Sequence, residues 1–233
     1  MSTIRLLGLF VWTFLLMLIA PFFIPFTLNR QFPLVLARTI FSPVLLRIAG
    51  AKLTVKGQGL VPLDKPVIFI ANHCSHLDIG TLCRSLPVNL HFIGKKELAW
   101  VPIVGWYMFI SGHIFIDRSN QKKARKSLEK AAQKIKDGKS VIMFPEGTRS
   151  KTGELGDLKK GAFHLASQSG AAIVPVSIKG THNLWPSGSS TITPGNIVVH
   201  IGKPIETSNY SKETIKELVV RSRQKILELQ HKY

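Results

Sequence analysis

Val67-Ile68-Phe69-Ile70-Ala71 runs directly into Asn72-His73-Cys74-Ser75-His76-Leu77-Asp78 and then into the apolar continuation Ile79 to Leu82. The first five residues predict a buried strand, the polar residues a turn, and the apolar continuation a helix. Strand, turn, helix is where α/β proteins place chemistry, because ligands bind beyond the carboxyl ends of strands. His73 and Asp78 are five apart. On one helix they would stand about 140° apart, at about 100° per residue, so they meet only if His73 stays in the turn and Asp78 enters the first helical turn. The pair then reads as a base and its orienter: an imidazole takes a proton near neutral pH, and a carboxylate on its far nitrogen fixes the tautomer. The same residues also spell a capping box, Ser75-x-x-Asp78 before an apolar run, which leaves His73 unexplained.

A chain of 233 residues, 45% hydrophobic, can bury a sizeable core, as one catalytic-sized domain with an appendage. Its 31 Lys and Arg against 13 Asp and Glu give +18, which implies a polyanionic partner. Cys74 and Cys83 form no disulfide framework or zinc-ribbon pattern, which suits a reducing compartment and makes Cys74 a weak candidate nucleophile.

From Leu6 to Leu28 there is no charge, which reads as a membrane segment or a signal peptide; with no small-x-small cleavage site after it, the expectation is that it is retained. Pro21 and Pro25 are expected to end the helix near Ala20, leaving about 22 Å against a bilayer core of about 30 Å. A second apolar segment, Phe32 to Ala49, carries Arg38 and Arg47 and contains Pro43. Residues 1–50 are therefore expected to form a membrane-embedded two-helix hairpin dipped into one leaflet, with a single span as the alternative. All 13 acidic residues lie in 51–233, yet that part still carries 27 basic groups, a net of +14. It should stay on the cytoplasmic side, facing an anionic membrane surface.

In 51–233, short apolar runs alternate with amphipathic ones: Lys52–Val55, Val67–Ile70, Leu90–Ile93, His113–Ile116, Val141–Phe144, Ile173–Ile178 and Ile197–Ile201. Six or seven strands with interleaved helices predict an α/β fold, a mostly parallel central sheet covered by helices on both faces. The clearest helix is Gln121 to Lys136, with Ala124, Leu128, Ala131 and Ile135 on one face and lysines and arginines opposite. That basic face reads as solvated surface that also helps hold the domain against lipid. Ser211 to Gln230 reads as a closing amphipathic helix. Polar clusters follow several strands: Lys95 after Leu90–Ile93, Asp117-Arg118 after His113–Ile116, and Pro145-Glu146-Gly147-Thr148-Arg149-Ser150 after the Val141 run. If the strands are parallel, Lys95, Arg118 and Arg149 gather at the edge that carries His73, a set suited to a phosphate monoester.

Four blocks, Asn72–Asp78, Gly112–Arg118, Phe144–Ser150 and Val174–Gly180, resemble in order and spacing the glycerolipid acyltransferases, specifically the 1-acyl-glycerol-3-phosphate acyltransferases. The likeness extends over about residues 50–205. It implies that His73 and Asp78 are the catalytic pair and that His73 deprotonates the sn-2 hydroxyl of lysophosphatidic acid. That oxygen would attack an acyl thioester directly, giving phosphatidic acid with no acyl-enzyme. It implies further that Arg118, Glu146, Gly147 and Arg149 hold the glycerol phosphate, that Lys95 adds a basic contact, and that Pro175 is structural or lines an acyl pocket. The implied donor is acyl-CoA or acyl carrier protein as co-substrate, with no metal or bound organic cofactor; the implied setting is a cell membrane, the inner membrane or its equivalent. Because a thioester is already activated, what remains is to position the alcohol, remove its proton and stabilise an oxyanion. Backbone N–H groups at Ser75 to Leu77 are the expected oxyanion donors.

Two other classes compete. A metal hydrolase would draw on His73, His76, Asp78, His91 and His113, but their spacing matches neither His-x3-His nor His-x-His-x-Asp-His. A nucleic-acid binder is suggested by the pI of about 10.2, but no binding motif or stacking aromatics accompany the lysines, and none is expected as a partner. Within the resembled family, transfer to another lysophospholipid is the narrower alternative.

Overall fold

The computed structural model describes residues 1–211 and 213–232. All seven apolar runs become strands of one sheet: β1 (Ala51–Lys56), β2 (Ile68–Ala71), β3 (His91–Lys95), β4 (Ile114–Ile116), β5 (Val141–Met143), β6 (Ile173–Lys179) and β7 (Gly195–Ile201), in the order β1-β7-β6-β2-β5-β3-β4. The five from β6 to β4 are mutually parallel. Strand β7 runs antiparallel to β6, and β1 is parallel to β7. Burial varies with position in the sheet. The central β2 and β5 are buried at every residue and so need unbroken apolar runs, whereas edge strand β1 alternates with solvent.

The helices are α1 (Ser2–Ile19), α2 (Ile24–Thr27), α3 (Phe32–Leu36), α4 (Ser42–Ala49), α5 (Asp78–Ser85), α6 (Val104–Ile110), α7 (Gln121–Lys136), α8 (Gly161–Ser169), α9 (Thr181–Leu184) and α10 (Ile215–His231). Helix α7 has the expected bounds, opened by Asn120 Oδ1 accepting from Lys123 N–H at 2.8 Å. The closing helix begins at Ile215 rather than Ser211, and Lys212, inside the expected range, lies outside the described residues.

The sheet separates two cores. On one face Phe69, Ala71, Val174, Val176, Val199 and Ile201 pack with Leu77, Leu82 and the N-terminal residues Leu9, Phe41, Leu45 and Ala49. On the other, Ile68, Ile70, Val141 and Ile173 pack with residues of α7, α8 and α10, among them Ile135, Phe163 and Ile226. The basic row of α7 thus rides on the face opposite the N-terminal hairpin.

The prolines act differently from expectation. Pro21 and Pro25 each occupy one of the first two positions of a new helical stretch, where no N–H is needed, so the rod tightens to a 3-10 turn at Ala20–Phe23 and continues. It ends at Leu28, in the left-handed region at φ 52°. Pro43 is absorbed likewise: Ala37–Phe41 widen into a π turn, with Ser42 N–H donating five residues back to Ala37 O. Helical stretches of 26 and 18 residues result, both long and apolar enough to cross a membrane by length and composition. Proline therefore does not leave the first segment too short to span. The two rods are tied together by Trp12 Nε1–H donating to Phe41 O at 3.0 Å.

Candidate active site

Because β2, β3, β4 and β5 are parallel, their carboxyl ends deliver His73, Lys95, Arg118 and the Pro145–Ser150 turn to one edge. His73 stays in the turn after β2, and Asp78 is the first residue of α5. Asp78 is fully buried, and its Oδ2 accepts from His73 Nδ1–H, Cys74 N–H and Ser75 N–H, each at 2.8 Å. Its Oδ1 accepts the Thr181 hydroxyl at 2.6 Å. Of the expected capping box only the return bond forms, Ser75 N–H to Asp78 Oδ2, on the same oxygen that holds His73; the helix is capped at Leu77 with no side-chain bond. With Nδ1–H bound to the carboxylate, the lone pair of the imidazole resides on Nε2.

The ring is clamped as well as bonded. It stacks on Phe144 with centroids 3.8 Å apart, and the His73 carbonyl accepts Ser150 N–H at 2.7 Å. Glu146 reaches under the turn: Oε1 accepts His73 N–H at 2.7 Å and Oε2 accepts Gly156 N–H at 2.9 Å. Burial pushes its carboxyl above the usual range while the two amide donors pull it back. Both oxygens are thus engaged by backbone, and Glu146 braces the His73 turn from outside the cavity wall. Gly147 turns the chain at φ 76°, with its N–H on Phe144 O.

Two of the three expected oxyanion donors are already spent. Ser75 N–H serves Asp78 and Leu77 N–H serves Ser75 Oγ at 3.1 Å, because a buried cap must satisfy its own amides first. Cys74 is buried, and that burial, then the Asp78 charge, pushes its thiol up to about 12, which disfavours the thiolate a nucleophile needs.

A cavity of about 580 Å³ opens beside His73. Lys95, Arg118, Gly147 and Arg149 line it, and Ile79, Phe92, Ile142 and Met143 give it apolar walls. The hairpin supplies another wall, with Leu16, Met17, Leu34, Arg38 and Phe41. Arg38, Lys95, Arg118 and Arg149 have no carboxylate partner among the described residues, and Arg149 Nε is buried without a hydrogen bond. Four unneutralised cations around one apolar cavity fit an amphiphile with an anionic head.

The other histidines do not join the dyad as ligands. His76 is exposed against Trp185, and His91 and His113 are buried at the amino ends of β3 and β4; His76 and His113 also line the cavity. Among the described residues no three His, Cys, Asp or Glu side chains converge as a metal site. Thr181 and Arg38 escaped sequence reasoning. The first directly succeeds the block ending at Gly180, and the second was read only as a snorkelling charge.

A base-and-orienter pair thus faces an apolar cavity rimmed by cations, at the carboxyl edge of an α/β sheet. The family model described as Acyltransferase matches residues 52–179, and the chain belongs to that family. Its particular kin are 1-acyl-sn-glycerol-3-phosphate acyltransferases. One from Saccharomyces cerevisiae is 42% identical over 191 residues, covering 81% of this chain and 63% of the relative. One from Chlamydomonas reinhardtii is 35% identical over 218 residues, covering 88% and 64%. The chain thus spans less than two thirds of those relatives' length. The crystal structure of the 1-acyl-sn-glycerophosphate (LPA) acyltransferase PlsC from Thermotoga maritima matches with a TM-score of 0.79 and 29% identity, covering 100% of this chain and 99% of that one.

Proposed function

We propose that the chain moves a fatty acyl group from an acyl thioester to the sn-2 hydroxyl of lysophosphatidic acid, giving phosphatidic acid. The observation that carries this is the 2.8 Å His73–Asp78 pair bordering a cavity that also holds the unpaired Lys95, Arg118 and Arg149. His73 Nε2 accepts the hydroxyl proton as that oxygen attacks the thioester carbonyl. The C–S bond breaks, and the imidazolium returns the proton to the departing thiolate. No acyl-enzyme, metal or organic cofactor takes part. Lys95, Arg118 and Arg149 hold the phosphate; Glu146 acts by placing the turn and Gly147 by letting the chain approach. Packing of Leu9, Phe41 and Leu45 into the sheet core favours a hairpin lying in one leaflet, with the domain on the cytoplasmic side, since a crossing helix would have to leave that core.

Supplying one labelled thioester to lysophosphatidate and lysophosphatidylcholine in parallel tests the reading; lysophosphatidate is the preferred acceptor, and the reverse preference overturns it. His73→Ala lowers turnover by about two to four orders of magnitude in a folded protein. Arg149→Ala raises the KM for lysophosphatidate roughly tenfold with less effect on kcat, as loss of a charge-assisted phosphate contact should. The donor, acyl-CoA or acyl carrier protein, is read from which thioester supports turnover. A rate that falls steeply with salt for the carrier protein alone marks docking of that protein.

A further inference from the structure

From Leu98 to Ile110 the chain has thirteen residues without a charge, none of them in a strand of the sheet. They fold as the end of a 3-10 turn, Lys96–Trp100, followed by helix α6. The inner side is well used. Tyr107 and Met108 pack with Ala20 of the hairpin and against Leu16, Met17, Leu36 and Val104.

The outer side is another matter. Trp100 is 81% exposed, Trp106 73% and Phe109 77%, with Val101 and Ile110 also open to solvent. Large aromatics left bare on a folded element mark a surface awaiting a partner. The turn is tightly bonded: Ile103, which joins it to α6, is held at φ 66°, strained for a β-branched residue, and Val104 and Gly105 N–H donate back to Pro102 O and Val101 O at 2.7 and 2.8 Å.

Helix α6 touches the Leu16–Ala20 end of the first rod, where Phe14, Leu15, Leu18 and Ile19 are also exposed. Leu98 and Val104 on one side and Leu16 and Met17 on the other line the same cavity. Lys95 and Lys96 stand at the start of the segment, Lys96 paired with Asp117 at 3.2 Å and Lys95 without a carboxylate partner among the described residues. Tryptophan beside a basic rim suits the headgroup level of a bilayer, where one end of the ring is apolar and the other wet.

We propose that residues 98–110 form a second membrane-contact element, a lip that enters the interface beside the hairpin, so that the cavity they line together exchanges lipid with the bilayer directly. The occupant is a lipid surface rather than a second copy of the chain, because the patch continues the exposed face of α1 and ends in cations. The proposal rests on the lipid-acylating reading for its purpose, and its physical test does not depend on activity.

The full chain is mixed with vesicles of phosphatidylcholine and phosphatidylglycerol, with and without lipid brominated near the headgroup end of the acyl chain. Tryptophan quenching is compared between the unmodified protein and Trp100→Phe/Trp106→Phe, so that the difference isolates these two rings from Trp12 and Trp185. The expected difference is strong bromolipid quenching, with protection from aqueous acrylamide once vesicles are added. Full acrylamide access in the presence of vesicles overturns the proposal. So does shielding without vesicles in a protein that sediments as a dimer through this face. In a second arm, Trp100→Ser/Trp106→Ser/Phe109→Ser raises the apparent KM about tenfold for lysolipid presented in vesicles, while turnover of a short-chain monomeric lysolipid is unchanged. Equal KM values for vesicle substrate overturn it. If neither protein acylates lysolipid but the bromolipid difference persists, the functional reading fails and the lip stands.

Discussion

At the residue scale, Asp78 carries the site, and four donors share its two oxygens. Removing any one leaves a fully buried acceptor short of a partner. Thr181→Val deletes the only side-chain donor besides His73, so a loss of about 1–3 kcal/mol is expected. It also frees the carboxylate to rotate away from the imidazole, with kcat falling roughly tenfold and KM little changed. Thr181→Ser keeps the hydroxyl and should restore both values. A valine variant with unaltered kcat would show that Thr181 does not position the dyad. The dyad itself was legible because the five-residue spacing works only with a turn followed by a helix start, and that pattern is visible in the apolar runs on either side. Thr181 was not legible, since it lies 103 residues from Asp78 and nothing local marks it. Glu146 was found as a glycerol-phosphate group, but its bracing role was not legible, since only the folded chain brings the amides of His73 and Gly156 onto its two oxygens.

At the element scale, the end of β6 is where the sheet reverses direction and the site receives Thr181. Gly180 makes the turn at φ 92°, and a Cβ there would lie 2.1 Å from Asn196 O on β7. Both conformation and space demand glycine. Gly180→Ala should cost about 2–3 kcal/mol of backbone strain, or a Tm drop of about 4–12 °C for a domain of this size. It should also reduce kcat, because the displaced residue is the one that holds Asp78. Thermal unfolding monitored by circular dichroism checks this, and an unchanged Tm would mean the β7 backbone yields freely. The seven strands were readable because buried parallel strands must be apolar throughout. The reversal of β7 was not, because periodicity reports which face a strand buries and is silent on its direction. The hairpin prolines misled for a related reason. A proline forbids one N–H, and whether the helix breaks or shifts to 3-10 or π bonding depends on the packing around it.

At the scale of the whole molecule, the net charge of +18 pointed to a polyanionic partner without saying where the charge would lie. The fold divides it between cavity cations on the hairpin side of the site and the row on α7 across the sheet. Beneath β3 and β4 sits a different consequence of folding: His91 and His113, 4% and 5% exposed, ring against ring. Burial above all, then Lys139 for His91 and its fellow histidine for His113, pulls their pKa values down to about 4 and about 3. His113 needs the neutral form for its hydrogen bond, since its Nδ1 accepts Phe92 N–H at 3.0 Å, whereas His91 Nδ1–H donates to Ser140 O at 3.3 Å and is kept neutral by burial against the pull of that bond. An unfolded histidine titrates near 6.5, so between pH 6.5 and about 4 the unfolded chain binds more protons than the folded one. Stability from these groups is therefore complete above pH 6.5 and lost as pH falls, by about 1.4 kcal/mol per pH unit for each ring. His91→Gln/His113→Gln should be less stable at pH 7.5, having lost good packing, yet should show a flatter decline from pH 6.5 to 4.5 in urea unfolding. Parallel declines in the two proteins would mean that the histidines do not set the acid limit of the fold.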